Sequence, residues 1–245
     1  MISLQNLAKS FGPKHILRDV TLEVPQGTSL AIIGGSGTGK SVTLKCILGL
    51  IKPDAGTISV NGQSLDDDRE AFLANFGMLF QGGALFDSLP VWQNVAFRLL
   101  HDGTSRTDAR DRAITKLGRV GLKPETADQF PAELSGGMQK RVGLARVIAT
   151  DPKVIFFDEP TTGLDPIMSG VINELIREIV TEMGATTITI THDMTSVRAI
   201  ADNVAMLHDG LVQWHGPVAE MDNADDPYLH QFLSGSADGP IQAIR

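Results

Sequence analysis

Apolar residues in 2–33 recur mostly two apart, as at Leu17, Val20, Leu22 and Val24, and Pro25-Gln26-Gly27 punctuates the pattern before the run Leu30-Ala31-Ile32-Ile33. This alternation predicts strands joined by turns. The period then changes. Val42-Thr43-Leu44-Lys45-Cys46-Ile47-Leu48 carries apolar residues at helical spacing and ends at Lys52-Pro53-Asp54-Ala55-Gly56. Residues 57–62 read as a strand entering an Asn61-Gly62 turn. Residues 76–81 read as a buried strand with Gln81 at its C-terminal end. Helical spacing over 92–100, 107–120 and 135–149, with no strand pattern between, predicts a helical subdomain at about 89–150 inserted between core strands. Strand and helix then alternate again: Val154-Ile155-Phe156-Phe157, an amphipathic helix at 167–183, a strand at 186–191, and a hairpin of 203–208 and 211–215 around Asp209-Gly210. Beyond Gly216-Pro217 come short helical pieces and a Ser/Gly/Asp-containing tail, expected to be mobile unless docked.

The sharpest chemistry lies where the period first changes. Gly34-Gly35-Ser36-Gly37-Thr38-Gly39-Lys40-Ser41 stands between an apolar strand and a helix, the context a P-loop requires. Its glycines let successive backbone N–H groups point into one concave nest at a helix N-terminus. Lys40 can then reach the β- and γ-phosphates of a nucleoside triphosphate, and the Ser41 hydroxyl can ligate Mg²⁺.

Three other strand or helix ends carry polar groups. Asp158-Glu159 closes a run of four apolar residues. Buried carboxylates need a partner, and Mg²⁺ is the obvious one beside a P-loop. Asp158 would assist the metal directly or through water, and Glu159 would face the attacking water. His192 ends a β-branched strand, on the sheet edge expected for Gln81 and Glu159, where it can meet a γ-phosphate; the other five histidines show no metal-ligand spacing. Leu134-Ser135-Gly136-Gly137-Met138 opens a helix: Ser135 suits an N-cap, and the adjacent N–H groups are either a plain cap or a second anion cradle. Phe11, before Gly12-Pro13, either plugs a loop or faces a ligand.

Composition narrows the partners. The 245 residues carry a formal net charge of −8, which argues against a nucleic-acid surface. The single cysteine, Cys46, excludes an internal disulfide and fits a reducing compartment; within its apolar pattern it reads as a small buried hydrophobe. No apolar run approaches the roughly 18 residues of a membrane span, and residues 1–5 lack the character of a signal peptide. Any membrane role is therefore expected through partners only. The run Asp66-Asp67-Asp68-Arg69-Glu70 is too short to be more than a solvated turn or helix start.

Taken in order, these motifs resemble the nucleotide-binding subunit of an ABC transporter over residues 2–216. The matches are Walker A at 34–41, the Q-loop at Gln81, the LSGGQ-type signature at 134–138, Walker B at 154–158 followed by Glu159, the D-loop around Gly163-Leu164-Asp165, and the H-loop at His192. Two positions depart from the pattern. Phe11 stands where many members carry an adenine-stacking tyrosine, and Met138 replaces the usual glutamine. Phe80-Gln81-Gly82-Gly83-Ala84-Leu85-Phe86-Asp87-Ser88-Leu89, Lys140-Arg141 and Tyr228-Leu229-His230-Gln231-Phe232-Leu233 are similar to the MlaF-like branch, whose complexes move phospholipids between bacterial membranes with an MCE-domain protein.

The resemblance implies an α/β P-loop NTPase with a RecA-like core, an antiparallel β subdomain, the inserted helical subdomain and a C-terminal extension at 217–245. It implies ATP and Mg²⁺ as cofactors, with Phe11, 34–41, Thr43, Ser135, Gly136 and Gly137 binding nucleotide. Ser41, Gln81 and Asp158 would hold the metal, and Glu159, His192, Lys40 and Gln81 would carry hydrolysis. Two copies would close head to tail over two ATP molecules at the cytoplasmic face of the inner membrane, against permease subunits reached through residues 82–92, and with an MCE-domain protein. The alternatives are an importer for another solute, a nucleotide-gated subunit without turnover, and an ATPase of DNA repair or ribosomes. The last normally needs a coiled-coil insertion or a second cassette, and the sequence has neither.

Overall fold

The computed structural model describes residues 1–64 and 67–242. Asp66 of the acidic run and residues 243–245 of the expected extension lie outside the described residues. In chain order the elements begin with β1 (Ile2–Phe11), β2 (Lys14–Val24), β3 (Ser29–Ile33), α1 (Lys40–Ile47), β4 (Ala55–Val60), β5 (Gln63–Ser64) and α2 (Arg69–Ala74). Then follow β6 (Phe76–Leu79), α3 (Val91–Val95), α4 (Phe97–His101), α5 (Arg106–Arg119), α6 (Gly136–Val147), β7 (Val154–Asp158) and α7 (Pro166–Met183). The last are β8 (Thr186–Ile190), α8 (Met194–Ile200), β9 (Asn203–His208), β10 (Leu211–Pro217) and α9 (Pro227–Ser234). The chain forms two compact units, Met1–Ala74 with Thr186–Arg245, and Asn75–Ala185.

In the first unit the strands run β5-β4-β1-β2-β10-β9-β3-β8. β1 pairs antiparallel with β2 and β4, whereas β3 pairs parallel with β8 and β9. The sequence explains the difference. β2 alternates buried Leu17, Val20, Leu22 and Val24 with exposed polar residues, as a strand wet on one face does. β3 is buried at every position, as expected of a central parallel strand. The segment beyond Pro217 is built into this unit: Met221 and Leu229 are buried in one cluster with Ala31, Ile33, Val197, Val204 and Met206. The tail expected to be mobile is docked. The Gln231 side chain donates to the Ser236 and Ile241 carbonyls and accepts the Ile241 N–H at 2.7 Å.

In the second unit β6 and β7 pair in parallel, with Leu79 opposite Phe157. β6 stops at Leu79, so Gln81 lies in the turn beyond the strand rather than at its last position. The helix expected over 92–100 is two pieces meeting at Ala96, whose N–H still donates to the Trp92 carbonyl. α5 buries Ala109, Ala113 and Leu117, spaced four apart on one face. α7 is the best-delimited helix. Asp165 caps it by accepting the Ile167 and Met168 N–H groups, Pro166 occupies its first position, and Gly184 ends it with φ 58°. Among the described residues, no helix is long and apolar enough to cross a membrane.

Candidate functional site

The loop between β3 and α1 is shaped by backbone that only glycine adopts cheaply. Gly34, Gly37 and Gly39 have φ of 143°, 78° and 106°. α1 starts at Gly39 with no side-chain cap and no acidic residue in its first turn, so its N-terminal N–H groups are offered to an anion. Lys40 Nζ donates to the Gly34 and Gly35 carbonyls, both at 2.7 Å, and so spans the loop. Thr38 Oγ1 adds a bond to the Gly35 carbonyl. A carbon added at Gly37 would meet nothing within 4 Å, so the cradle is open there. A cleft of about 180 Å³ is lined by Lys14, Ile16 and the residues from Gly37 to Val42.

Gly34 is required by its neighbour across the sheet. A carbon added to it would stand 2.2 Å from the Leu207 carbonyl oxygen, across the β3–β9 pairing. Gly34→Ala should therefore cost about 1–3 kcal/mol of stability and lower the melting temperature by about 3–10 °C. Thermal unfolding of the purified variant checks this, and an unchanged midpoint would contradict the crowding.

Thr43, expected among the nucleotide-binding residues, is corrected by the structure. It is 0 % exposed, and its hydroxyl donates to the Gly39 carbonyl within the core. Successive helix positions are about 100° apart, so Val42 lines the cleft instead. Phe11 does not plug its loop: it is 49 % exposed at the end of β1, opposite Lys14 in register, with Lys9 Nζ 5.5 Å from the ring centre. Lys14 and Ile16 carry no motif, and sequence reasoning missed them. Their only signal was proximity to Phe11 across the turn from β1 to β2.

His192 lies two residues beyond the end of β8, and Gly34 one residue beyond the end of β3. Since Ile32 pairs with Ile190, the register brings both to one sheet edge. The turn carrying His192 is braced on both sides. The Asp193 N–H donates to Thr191 Oγ1, and the Asp193 carboxylate accepts the Thr195 and Ser196 N–H groups and the Ser196 hydroxyl. Burial alone would raise the Asp193 pKa, but these donors hold it below its ordinary value.

The second unit builds its own edge in the same way. Leu79 pairs with Phe157, so Gln81 and Glu159 both lie two residues past the paired strand ends, next to Asp158. Glu159 sits in the left-handed region, at φ 50°. That conformation costs a non-glycine residue about 1–2 kcal/mol and collects at functional sites. Its Oε2 accepts the Thr162 hydroxyl at 3.0 Å, and its carbonyl accepts the Thr162 N–H at 3.3 Å. Lys140 Nζ is 3.4 Å from the same carbonyl. Burial lowers the Lys140 pKa, and the negative charges of Glu159 and Asp158 pull it back up.

α6 opens with Ser135 as N-cap, its hydroxyl accepting the Met138 N–H at 3.3 Å. Ser135 and Gly136 are exposed, whereas Gly137 is buried within this chain, where an added carbon would come 2.7 Å from Met168 Cε. The permease-facing expectation for 82–92 changes at one residue. Trp92 is only 5 % exposed, beneath the Arg106 guanidinium. Phe86 of this segment is exposed, and its ring lies 4.6 Å from that of Phe97, which is exposed as well. Buried Asn94 fixes their loop through the Phe86 N–H and the Phe86 and Leu89 carbonyls.

The donors fit the cofactors the motifs imply. An open cradle at a helix N-terminus suits phosphates, and the hydroxyl of Ser41, which lines the cleft beside it, suits a hard cation such as Mg²⁺. The sequence profile described as ABC transporter matches residues 17–162, more than half of the chain. The chain is 40 % identical, over 98 % of its length, to the probable ribonucleotide transport ATP-binding protein mkl of Mycobacterium leprae, of which the match covers 70 %. It is 38 % identical to the intermembrane phospholipid transport system ATP-binding protein MlaF of Escherichia coli K12, over 98 % of this chain and 91 % of that one. A dimeric post-hydrolysis structure of the ATP-binding cassette MJ0796, bound to ADP and Pi, superposes with a TM-score of 0.80 at 30 % identity, over 89 % of this chain and 99 % of that one. With an open P-loop, strand-end carboxylates and this agreement along nearly its whole length, the chain belongs to the ABC transporter family, as an ATP-binding subunit.

Proposed function

We propose that this subunit hydrolyses ATP to drive phospholipid transport between bacterial membranes. The observation that carries the cargo is the similarity to MlaF, which spans 98 % of this chain and 91 % of that protein. The subunit would act as a homodimer at the cytoplasmic face of the inner membrane, held there by permease subunits that meet Phe86 and Phe97, and would serve an MCE-domain protein.

Phosphoryl transfer to water asks a protein mainly for positioning and charge stabilisation. The loop N–H groups of 34–39 and Lys40 bind the phosphates, and His192 anchors the γ-phosphate. Ser41, Gln81 and Asp158 are the groups that would hold Mg²⁺, and the ion would supply positive charge to offset that on the phosphates. Glu159 orients the water and accepts its proton. Phe11 stacks on the base, and Ser135, Gly136 and Gly137 offer backbone and hydroxyl donors to the nucleotide of the other copy.

The name of mkl favours a second cargo, ribonucleotides. Purifying the protein with its detergent-solubilised native partners and identifying subunits and bound small molecules separates the two. A permease with an MCE-domain protein and phospholipid supports the proposal. A solute permease carrying nucleotides would overturn the cargo and keep the ATPase.

A further inference from the structure

Lys140 is 4 % exposed and belongs to none of the nucleotide motifs. It lies on α6, the helix that Ser135 opens, and its ammonium points to the carbonyl of Glu159 at 3.4 Å. A buried lysine is retained at a cost unless negative charge faces it, and the charges that face it are those of Glu159 and Asp158. Thr162 holds the same residue as well, with its N–H on the Glu159 carbonyl and its hydroxyl on Oε2. Glu159 needs such a grip because its backbone is held at φ 50° with a proline after it.

We propose that Lys140 and Thr162 are positioning residues for ATP hydrolysis, a clamp that fixes the backbone and carboxylate of Glu159 in their strained orientation. The inference rests on the reading of Glu159 as the group that orients the attacking water. Neither residue touches nucleotide in this scheme. Both act through Glu159, so their loss should slow the chemical step and leave ATP binding alone. Because Lys140 rides on the signature helix, it also ties the glutamate of one subunit to the helix whose N-terminus meets the other subunit's nucleotide.

The test uses the full-length protein and four variants: Lys140→Met, Thr162→Val, Glu159→Gln, and the Lys140→Met/Glu159→Gln double variant. Expected are a kcat about 10- to 100-fold lower for each clamp variant, a KM for ATP changed by less than about twofold, and little further loss when Lys140→Met is added to Glu159→Gln. A structural role would instead lower the melting temperature and add in full to the Glu159 variant. Additive losses, a change in KM alone, or normal kcat in both clamp variants would overturn the clamp. If Lys140→Met does not fold, Thr162→Val at its half-buried position decides by the same readouts. Near-normal turnover by Glu159→Gln would overturn the underlying role of Glu159, a failure distinguishable from a clamp that does nothing.

Discussion

Glu159→Gln is expected to leave ATP bound and stop its turnover. An amide keeps the shape of the side chain and still accepts the Thr162 hydroxyl that Oε2 receives at 3.0 Å. It cannot accept a proton from water. General-base catalysis by a positioned carboxylate is worth about 10²–10⁴-fold, so phosphate release should fall by that order while equilibrium nucleotide binding stays near normal. The exchange keeps the backbone position at φ 50° and removes the basicity together with one of the two negative charges that face Lys140. Phosphate release close to that of the unmodified protein would take Glu159 out of the mechanism.

Lys40→Ala should act one stage earlier. The ammonium spans the loop through the Gly34 and Gly35 carbonyls at 2.7 Å, and a phosphate oxygen can take its place beside them. Bonds to a charged donor contribute about 1.5–3 kcal/mol each, so ATP affinity should weaken about 10- to 100-fold. The loop also loses its brace, which spreads the effect over binding and local order. Isothermal titration of ATP settles the matter, and an unchanged dissociation constant would count against the P-loop assignment.

The parts legible in the sequence were those in which neighbours along the chain do the chemistry together. The P-loop, the strand-end Asp158-Glu159 and the cap at Ser135 each lie within a few residues, so type and spacing announce them. Placement within the helix was harder: Thr43 is polar and adjacent to Ser41, yet one helical step turns it into the core and presents Val42. Trp92 looked exposed because aromatics next to a turn often are, but Arg106 covers it from another helix. The clamp on Glu159 was invisible for the same reason, since Lys140 meets it only through folding. The tail at 236–241 reads as mobile by composition, and the amide of Gln231 overrides that. Nor does a glutamate before a proline advertise a left-handed backbone, which sequence patterns mark mainly through glycine.

Cys46, buried on α1 behind the P-loop, gives the molecule a built-in clock. Burial pushes its thiol up to about 11, and alkylating reagents need an accessible thiolate. The side chain is 0 % exposed, so modification waits for α1 to lift from the core. As the only cysteine in the chain, it reports that event alone. The modification rate therefore reads the opening equilibrium of the very helix whose N-terminus receives the phosphates. Each nucleotide bound to the closed form alone slows the clock by the factor 1 + [L]/Kd, so ligand occupancy becomes readable as elapsed time without any turnover.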